Sequence, residues 1–220
     1  MTTRRMRARK GEGSLLREEI LRAAESLLAE SGTEDALTVR AVAERSGVST
    51  PSVYLHFADK DALVEAVCLR VWDELGRLVQ ENAGGDPFHA LGRCARAYVR
   101  FALDHPVQYR VLMMRPATQE AASACFSHIV TAVTACVEAG VLRGDPQDLA
   151  LAMWTAVHGC ASLLIAQPSF PWPDDLIDNT IRMAGYGTAI LPRLPREAPP
   201  SQVIAAELDE LGVRLAGGLP

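Results

Sequence analysis

The stretch "AERSGVSTPSVYLHFADKDAL", Ala43 to Leu63, decides how the rest of the chain is read. Upstream, "LTVRAVAERSG" predicts a short helix capped by Thr38 and stopped at Gly47, and "TPSVYLHF" predicts another. Thr50 is expected to cap the latter, with Pro51 in the first helical position, where its missing N–H costs nothing. With one more helix expected upstream of this stretch, a fourth helix is expected from near Lys60 to about Asn82, ending at "GGDP". Successive residues step about 100° around a helix, so Val53 and Phe57 share one apolar stripe that has to be covered. Pro51, Ser52 and Leu55 then point the opposite way, with Tyr54 and His56 on the flanks. A small helix with one face packed and a Pro-Ser-Leu face turned outward raises the question of what meets that outward face.

Working outward, the pattern stays helical. "SLLREEILRAAESLLAESG" puts Leu16, Ile20, Ala23, Ala24 and Leu27 on one stripe, with Ser14 as expected N-cap and Gly32 as stop. Beyond Asp86, longer helices are expected at roughly 86–104, 106–114, 117–139, 146–167 and 174–190, punctuated by "DHP", "MRPA", "GDPQD" and "PSFPWPDD". From Leu191 the text is Pro-rich, and Val203, Ile204, Leu208, Leu211 and Leu215 fit either one more short helix or a loose tail. The chain is 49% hydrophobic but only 5% aromatic, a balance that favours close-packed helices over a sheet sandwich. The expected fold is therefore all-α: a three-helix helix-turn-helix unit followed by a larger helical domain. The expected divisions are 1–13, a basic and disordered arm; 14–60, the helix-turn-helix unit; 61–190, the larger domain; and 191–220, a Pro-rich tail.

Charge and cysteine use narrow the partners. The net charge is −5, yet residues 1–60 carry 10 basic against 9 acidic side chains, and the remainder 12 against 18. Because exposed charges are screened within about 10 Å, this local excess outweighs the total. Five scattered cysteines without a CxxC suggest reduced, buried thiols in a cytoplasmic protein. Cys125 and His128 share a helical face, but no second pair completes a metal site, so no metal and no cofactor is expected. No signal peptide is read at the start. Leu149 to Pro173 lacks any charged side chain. Its prolines, flanking aspartates and missing basic anchors favour a helix buried in the protein or a subunit interface over a membrane span.

Two short helices joined by a Gly-containing turn make a helix-turn-helix, whose second helix enters the major groove of double-stranded DNA. Leu55 and Pro51 suit thymine methyls; the Ser52, Thr50 and Ser49 hydroxyls suit base edges or phosphate; Tyr54, His56, Lys60 and Thr38 suit the backbone. Arg4, Arg5 and Arg7 form a basic arm. The bland alternative packs Leu55 and Tyr54 against the fourth helix or the larger domain. An enzyme is the competing class, but no G-x-S-x-G, H-E-x-x-H or phosphate loop occurs, and His158 and Cys160 lie on different faces. A regulator acting through protein contacts alone would not need the Arg-rich arm.

The run "TVRAVAERSGVSTPSVYLHFADKDALVEAV" resembles the DNA-binding segment of the tetracycline-repressor (TetR) family of bacterial regulators. The match falls at Thr38, Val39, Val42, Ala43, Gly47, Val48, Ser49, Ser52, Val53, Tyr54, His56, Phe57, Lys60, Asp61 and Leu63. Leu55 departs from the polar or aromatic residue many members carry. "HPVQYRVLM" and "MWTAVHGCASL" are similar to a subgroup with a Trp-His-Gly signature, here Trp154, His158 and Gly159. The resemblance implies an effector and dimerisation role for the larger domain and a pseudo-palindromic operator. The low charge of that domain points to a small mostly apolar effector, and the long uncharged surface from Leu149 to Ala166, like the resemblance, to a homodimer built on the helices near 146–167 and 174–190. Tyr98, Phe101, Tyr109, Met113, Phe126, Trp154 and His158 are the candidate pocket residues, each with a plain-core alternative. Trp154 and His158 share a face, and Gly159 is expected to allow close helix approach.

Overall fold

The computed structural model describes residues 12–114, 119–194, 197 and 200–217. Of these, the side chains of residues 12, 34, 112–114, 119–121 and 215–217 are not described. All regular elements among the described residues are helical. Helix α1 runs Glu12–Ser31, α2 Val39–Arg45, α3 Thr50–Tyr54 and α4 Lys60–Glu81. The longer helices follow as α5 Pro87–Asp104, α6 Pro106–Met114, α7 Gln119–Glu138, α8 Pro146–Ala166 and α9 Leu176–Ile190. The last, α10, spans Ser201–Gly217. The segment expected to be a short helix or a loose tail is thus a helix, although Val203, Leu208 and Val213 remain exposed along it.

Local chemistry places the first boundaries. Thr38 caps α2, its side chain accepting from the Ala41 N–H at 3.1 Å. Gly47 then takes φ +68°, a left-handed turn that only glycine adopts without strain. Two expected caps move. Ser14 lies inside the first turn of α1, since that helix already begins at Glu12. Ser49 rather than Thr50 caps α3, accepting from Ser52 N–H at 3.3 Å, and Thr50 becomes the first helical residue. Ser49 and Thr50 are adjacent hydroxyl residues of similar capping strength, and Pro51 fits either register.

Ile20, Leu21, Ala24 and Leu28 from α1 meet Leu37, Val42, Val53, Leu63 and Val64, all with no exposed surface. Arg45 ties α2 to α1 through two bonds to Glu30, at 2.7 and 2.6 Å, and one to Ser26 at 2.8 Å. Arg70 ties α4 to α1 through Glu18 at 2.7 Å and Glu25 at 3.0 Å. At its 22 residues, α4 is about 33 Å long. It packs on α1 at one end and on α5, α6 and α7 beyond. In the second half, α8 packs on α5, α7 and α9. It is long and apolar enough to cross a bilayer by length and composition. One stripe of it, Ala150, Met153, Val157, Cys160 and Ala161, is buried in the protein core, while its most apolar stretch is only 28% buried, short of the burial on nearly all sides that its composition suggested. Gly185 on α9 lets the Phe88 ring of α5 come close, to 3.3 Å from where a Cβ would stand.

Candidate DNA-reading head and effector cavity

The opening stretch folds with its two faces in sharply different surroundings. Val53 has no exposed surface and Phe57 only 4%, with the Arg17 guanidinium 5.1 Å from the Phe57 ring centroid. Leu55, at the C-cap of α3, is 84% exposed and Tyr54 is 52% exposed. The alternative in which these two pack against α4 or the larger domain is therefore excluded within this chain. Pro51, Ser49 and Thr38 are also exposed, while Thr50, Ser52, His56 and Lys60 are half-buried. The Ser49 and Ser52 hydroxyls are 2.7 Å apart, so each already has a partner. Asp59 caps α4 through the Ala62 N–H at 2.8 Å, fixing where Lys60 emerges. Arg4, Arg5 and Arg7 lie outside the described residues.

The second feature is a cavity of about 160 Å³ between α5, α8 and α9, lined also by Val79 of α4 and Ile129 of α7. Phe88, Leu91, Gly92, Ala95 and Tyr98 line it from α5; Met153, Trp154 and Val157 from α8; Ile181, Arg182, Gly185 and Tyr186 from α9. Of the seven candidate pocket residues, Tyr98 and Trp154 line it. Phe126 stands behind Trp154, ring centroids 6.2 Å apart and edge-on. Phe101 is buried against His105, ring centroids 4.8 Å apart, away from the lining. Met113 falls within α6, and its side chain is not described.

Tyr109 and His158 belong to a polar node beside the cavity rather than to its wall. The Tyr98 and Tyr109 hydroxyls are 2.8 Å apart. They lie 3.0 and 2.5 Å from His158 Nδ1. Trp154 Nε1–H donates to the Tyr98 oxygen at 3.2 Å, and His158 Nε2 is 3.3 Å from Ser162 Oγ. Burial pushes the Tyr109 hydroxyl up to about 12, and burial followed by the neighbouring Tyr109 raises Tyr98 as well. Burial also lowers the His158 pKa. Burial therefore favours protonated phenols and a neutral imidazole, so the node is held by hydrogen bonds between neutral groups. His158 thus meets tyrosine hydroxyls at Nδ1 and a serine hydroxyl at Nε2.

The lining residues missed in the sequence left a readable trace. Phe88, Leu91, Gly92 and Ala95 are spaced i, i+3, i+4 and i+7, one face of α5. The two small residues sit where larger ones would fill the space. Cys125 and His128, the weak metal pair, are drawn into other roles. Cys125 is buried, its thiol pushed up to about 12, and His128 Nδ1 lies 3.2 Å from Gln80 Nε2.

An all-helical chain with a capped helix-turn-helix at one end and a cavity-bearing bundle at the other defines a helical DNA-binding regulator. Residues 20–67 match the family described as "Bacterial regulatory proteins, tetR family". Residues 91–184 match "Tetracyclin repressor-like, C-terminal domain", a broader description than the Trp-His-Gly subgroup. The HTH-type transcriptional repressor Rv3405c of Mycobacterium tuberculosis (strain ATCC 25618 / H37Rv) is 41% identical over 90 residues, 40% of this chain and 47% of that protein. The chain thus matches about half the length of that relative. The uncharacterized HTH-type transcriptional regulator Rv0681 of the same organism is 30% identical over 149 residues, 66% of this chain and 68% of that protein. A solved protein of unknown function from Rhodococcus sp. RHA1 superimposes with a TM-score of 0.71 at 27% identity, covering 79% of this chain and 95% of that one. A TetR family transcription regulator from Marinobacter aquaeolei VT8 has the same fold, with a TM-score of 0.61 at 22% identity over 80% of this chain and 96% of its own. The chain belongs to the tetR family of bacterial transcriptional regulators.

Proposed function

We propose that this regulator is a cytoplasmic homodimeric repressor that binds a pseudo-palindromic stretch of double-stranded DNA and releases it when a small, mostly apolar molecule enters the cavity. The observation that carries the DNA half is the contrast between Val53, fully buried, and Leu55, 84% exposed two residues later. An exposed leucine beside an exposed Pro51 has no partner among the described residues, and a thymine methyl supplies one. Ser52, Ser49 and Thr50 offer hydroxyls to base edges or phosphate. Thr38, Tyr54, His56 and Lys60 offer backbone contacts, and Arg4, Arg5 and Arg7 add an electrostatic arm. The name of the Mycobacterium tuberculosis relative supports repression over activation.

Residues 14–60 form the reading unit in this account, and 61–190 the ligand-binding and dimerisation unit. Dimerisation is supported by the face of α8 and α9 turned away from the core. Leu151 and Leu163 of α8 and Met183 of α9 are exposed, and a Cβ on Gly159 or Gly187 would meet nothing among the described residues. The close approach expected at Gly159 therefore has no counterpart among the described residues, and a second copy supplies it. Two-fold symmetry sets the reading segments about 34–36 Å apart, or further along the duplex. Coupling is assigned to α4, whose first residue is Lys60 while Val64, Val67, Val71 and Leu75 are buried along its length. A cavity ligand that favours a shifted α4 misaligns one half-site. A 100-fold loss of DNA affinity needs about 2.7 kcal/mol of such coupling.

The test is selection of bound duplexes from a random library by the full chain. An enriched inverted repeat, with a dimer in light scattering at micromolar concentration, is the expected outcome. No enrichment over non-specific binding, or a monomer, overturns the reading.

A further inference from the structure

The cavity has a chemical polarity of its own. Its buried and half-buried members are apolar or already satisfied: Leu91, Met153, Val157 and Ile181 carry no polar group, and buried Tyr98 and half-buried Trp154 spend theirs on the polar node. The charged groups of the lining, Arg96, Arg182 and His89, sit at the exposed side. No carboxylate lines the cavity. Arg96 is neutralised by Asp178 at 2.6 Å, and His89 faces Asp86 at 3.2 Å. Arg182 has no hydrogen-bond or ion-pair partner among the described residues, although the whole chain is anionic at −5. An apolar floor beneath one uncompensated guanidinium is complementary to a molecule with an apolar body and a single anionic head.

We propose that the cavity binds an amphipathic carboxylate, its aliphatic or aryl body against Leu91, Met153 and Val157 and its carboxylate at Arg182. This rests on reading the cavity as the effector site and names the ligand class for it. The sign of the preference is informative. Without a cation, an apolar cavity favours an alcohol over a carboxylate of the same chain length, because the ion loses more hydration. With Arg182 in place the order inverts, by roughly tenfold for one charge-assisted contact.

The probes are decanoate, decanol and decyltrimethylammonium, titrated into the full chain by calorimetry and by Trp fluorescence, with oligomeric state followed by light scattering. Decanoate is expected to bind about tenfold more tightly than decanol, and the ammonium most weakly. Arg182→Gln should invert the order so that decanol binds better, while Arg182→Lys should keep the wild-type order. Ala95→Phe, which fills the floor, should abolish binding of both. Decanol binding as tightly as decanoate in the wild type, or an unchanged order in Arg182→Gln, overturns the proposal. Measuring release of the selected duplex separates the two readings. Release by decanol alone sinks the carboxylate and keeps the effector site; decanoate bound in the cavity without release keeps the carboxylate and sinks the effector reading.

Discussion

The reading head and the cavity half use similar apolar residues to opposite ends. Around α1 to α3 and the start of α4, leucine, isoleucine and valine side chains reach zero exposure within one buried cluster. Around α5, α8 and α9, residues of the same kind stop short of closing, and a cavity stays open behind Phe88, Leu91 and Met153. A small unit that presents three or four side chains to DNA has to be rigid to hold them in register. A unit that answers to a ligand has to leave packing incomplete, since only a state the ligand can improve can be shifted by it. The difference teaches where the chain holds its stability and where it forgoes some.

The sharpest way to break this comparison is one substitution made in both places. Leu21→Ala, in the closed core of the head, should cost about 3–5 kcal/mol, because the surrounding helices cannot collapse into the space. Leu91→Ala, at the edge of an existing cavity, should cost about 2 kcal/mol: the side chain has fewer neighbours to lose and the enlarged space opens toward solvent. Urea denaturation with unchanged m-values measures both. Equal costs would mean the two halves are packed alike.

A smaller effect is expected at the polar node joining α5, α6 and α8. Tyr109→Phe removes one hydroxyl from His158 Nδ1 and from Tyr98, and should cost about 1 kcal/mol. The same node sets a pH dependence. His158 has a folded pKa below its ordinary 6.5, so the unfolded chain takes up the proton first as pH falls. Its contribution is complete above pH 6.5 and is lost as pH drops from there toward the folded value. The melting temperature should therefore fall between pH 7 and 5, and His158→Gln should flatten that part of the profile. A wild-type profile no steeper than that of the variant would remove His158 from the account.

The same contrast explains what was legible. Caps, turn glycine and the Val53/Phe57 stripe are local in sequence, so the head could be read almost residue by residue. Its two displaced caps were local: α1 begins two residues ahead of Ser14, and Thr50 gives way to Ser49, a neighbour with the same capping chemistry. The helices of the second half were legible to within a few residues because Pro and Gly mark their ends. The cavity was not, because it depends on how α5, α8 and α9 lean on one another. Tyr109 and His158 lie 49 residues apart and bond directly, and nothing near either one announces it. The small residues Gly92 and Ala95 on an otherwise bulky face were the available signal.

The smallest expected effect on stability falls at the residue that raised the first question. Leu55 is 84% exposed, so Leu55→Ala removes little buried surface and should change the unfolding free energy by less than about 0.5 kcal/mol. Its effect should appear on DNA instead, as a change in base preference of roughly 1–3 kcal/mol at one position of each half-site. Lys60→Ala is the control for this. It should weaken all sequences alike and lower the salt slope by about one per subunit, since a phosphate contact carries no sequence information. Ranking a panel of single-base variants of the selected duplex separates the two effects. If Leu55→Ala left the ranking intact while Lys60→Ala altered it, the roles would be reversed. If Leu55→Ala instead lowered the melting temperature by several degrees, that side chain would be covered in solution, and the outward face of α3 would have another purpose.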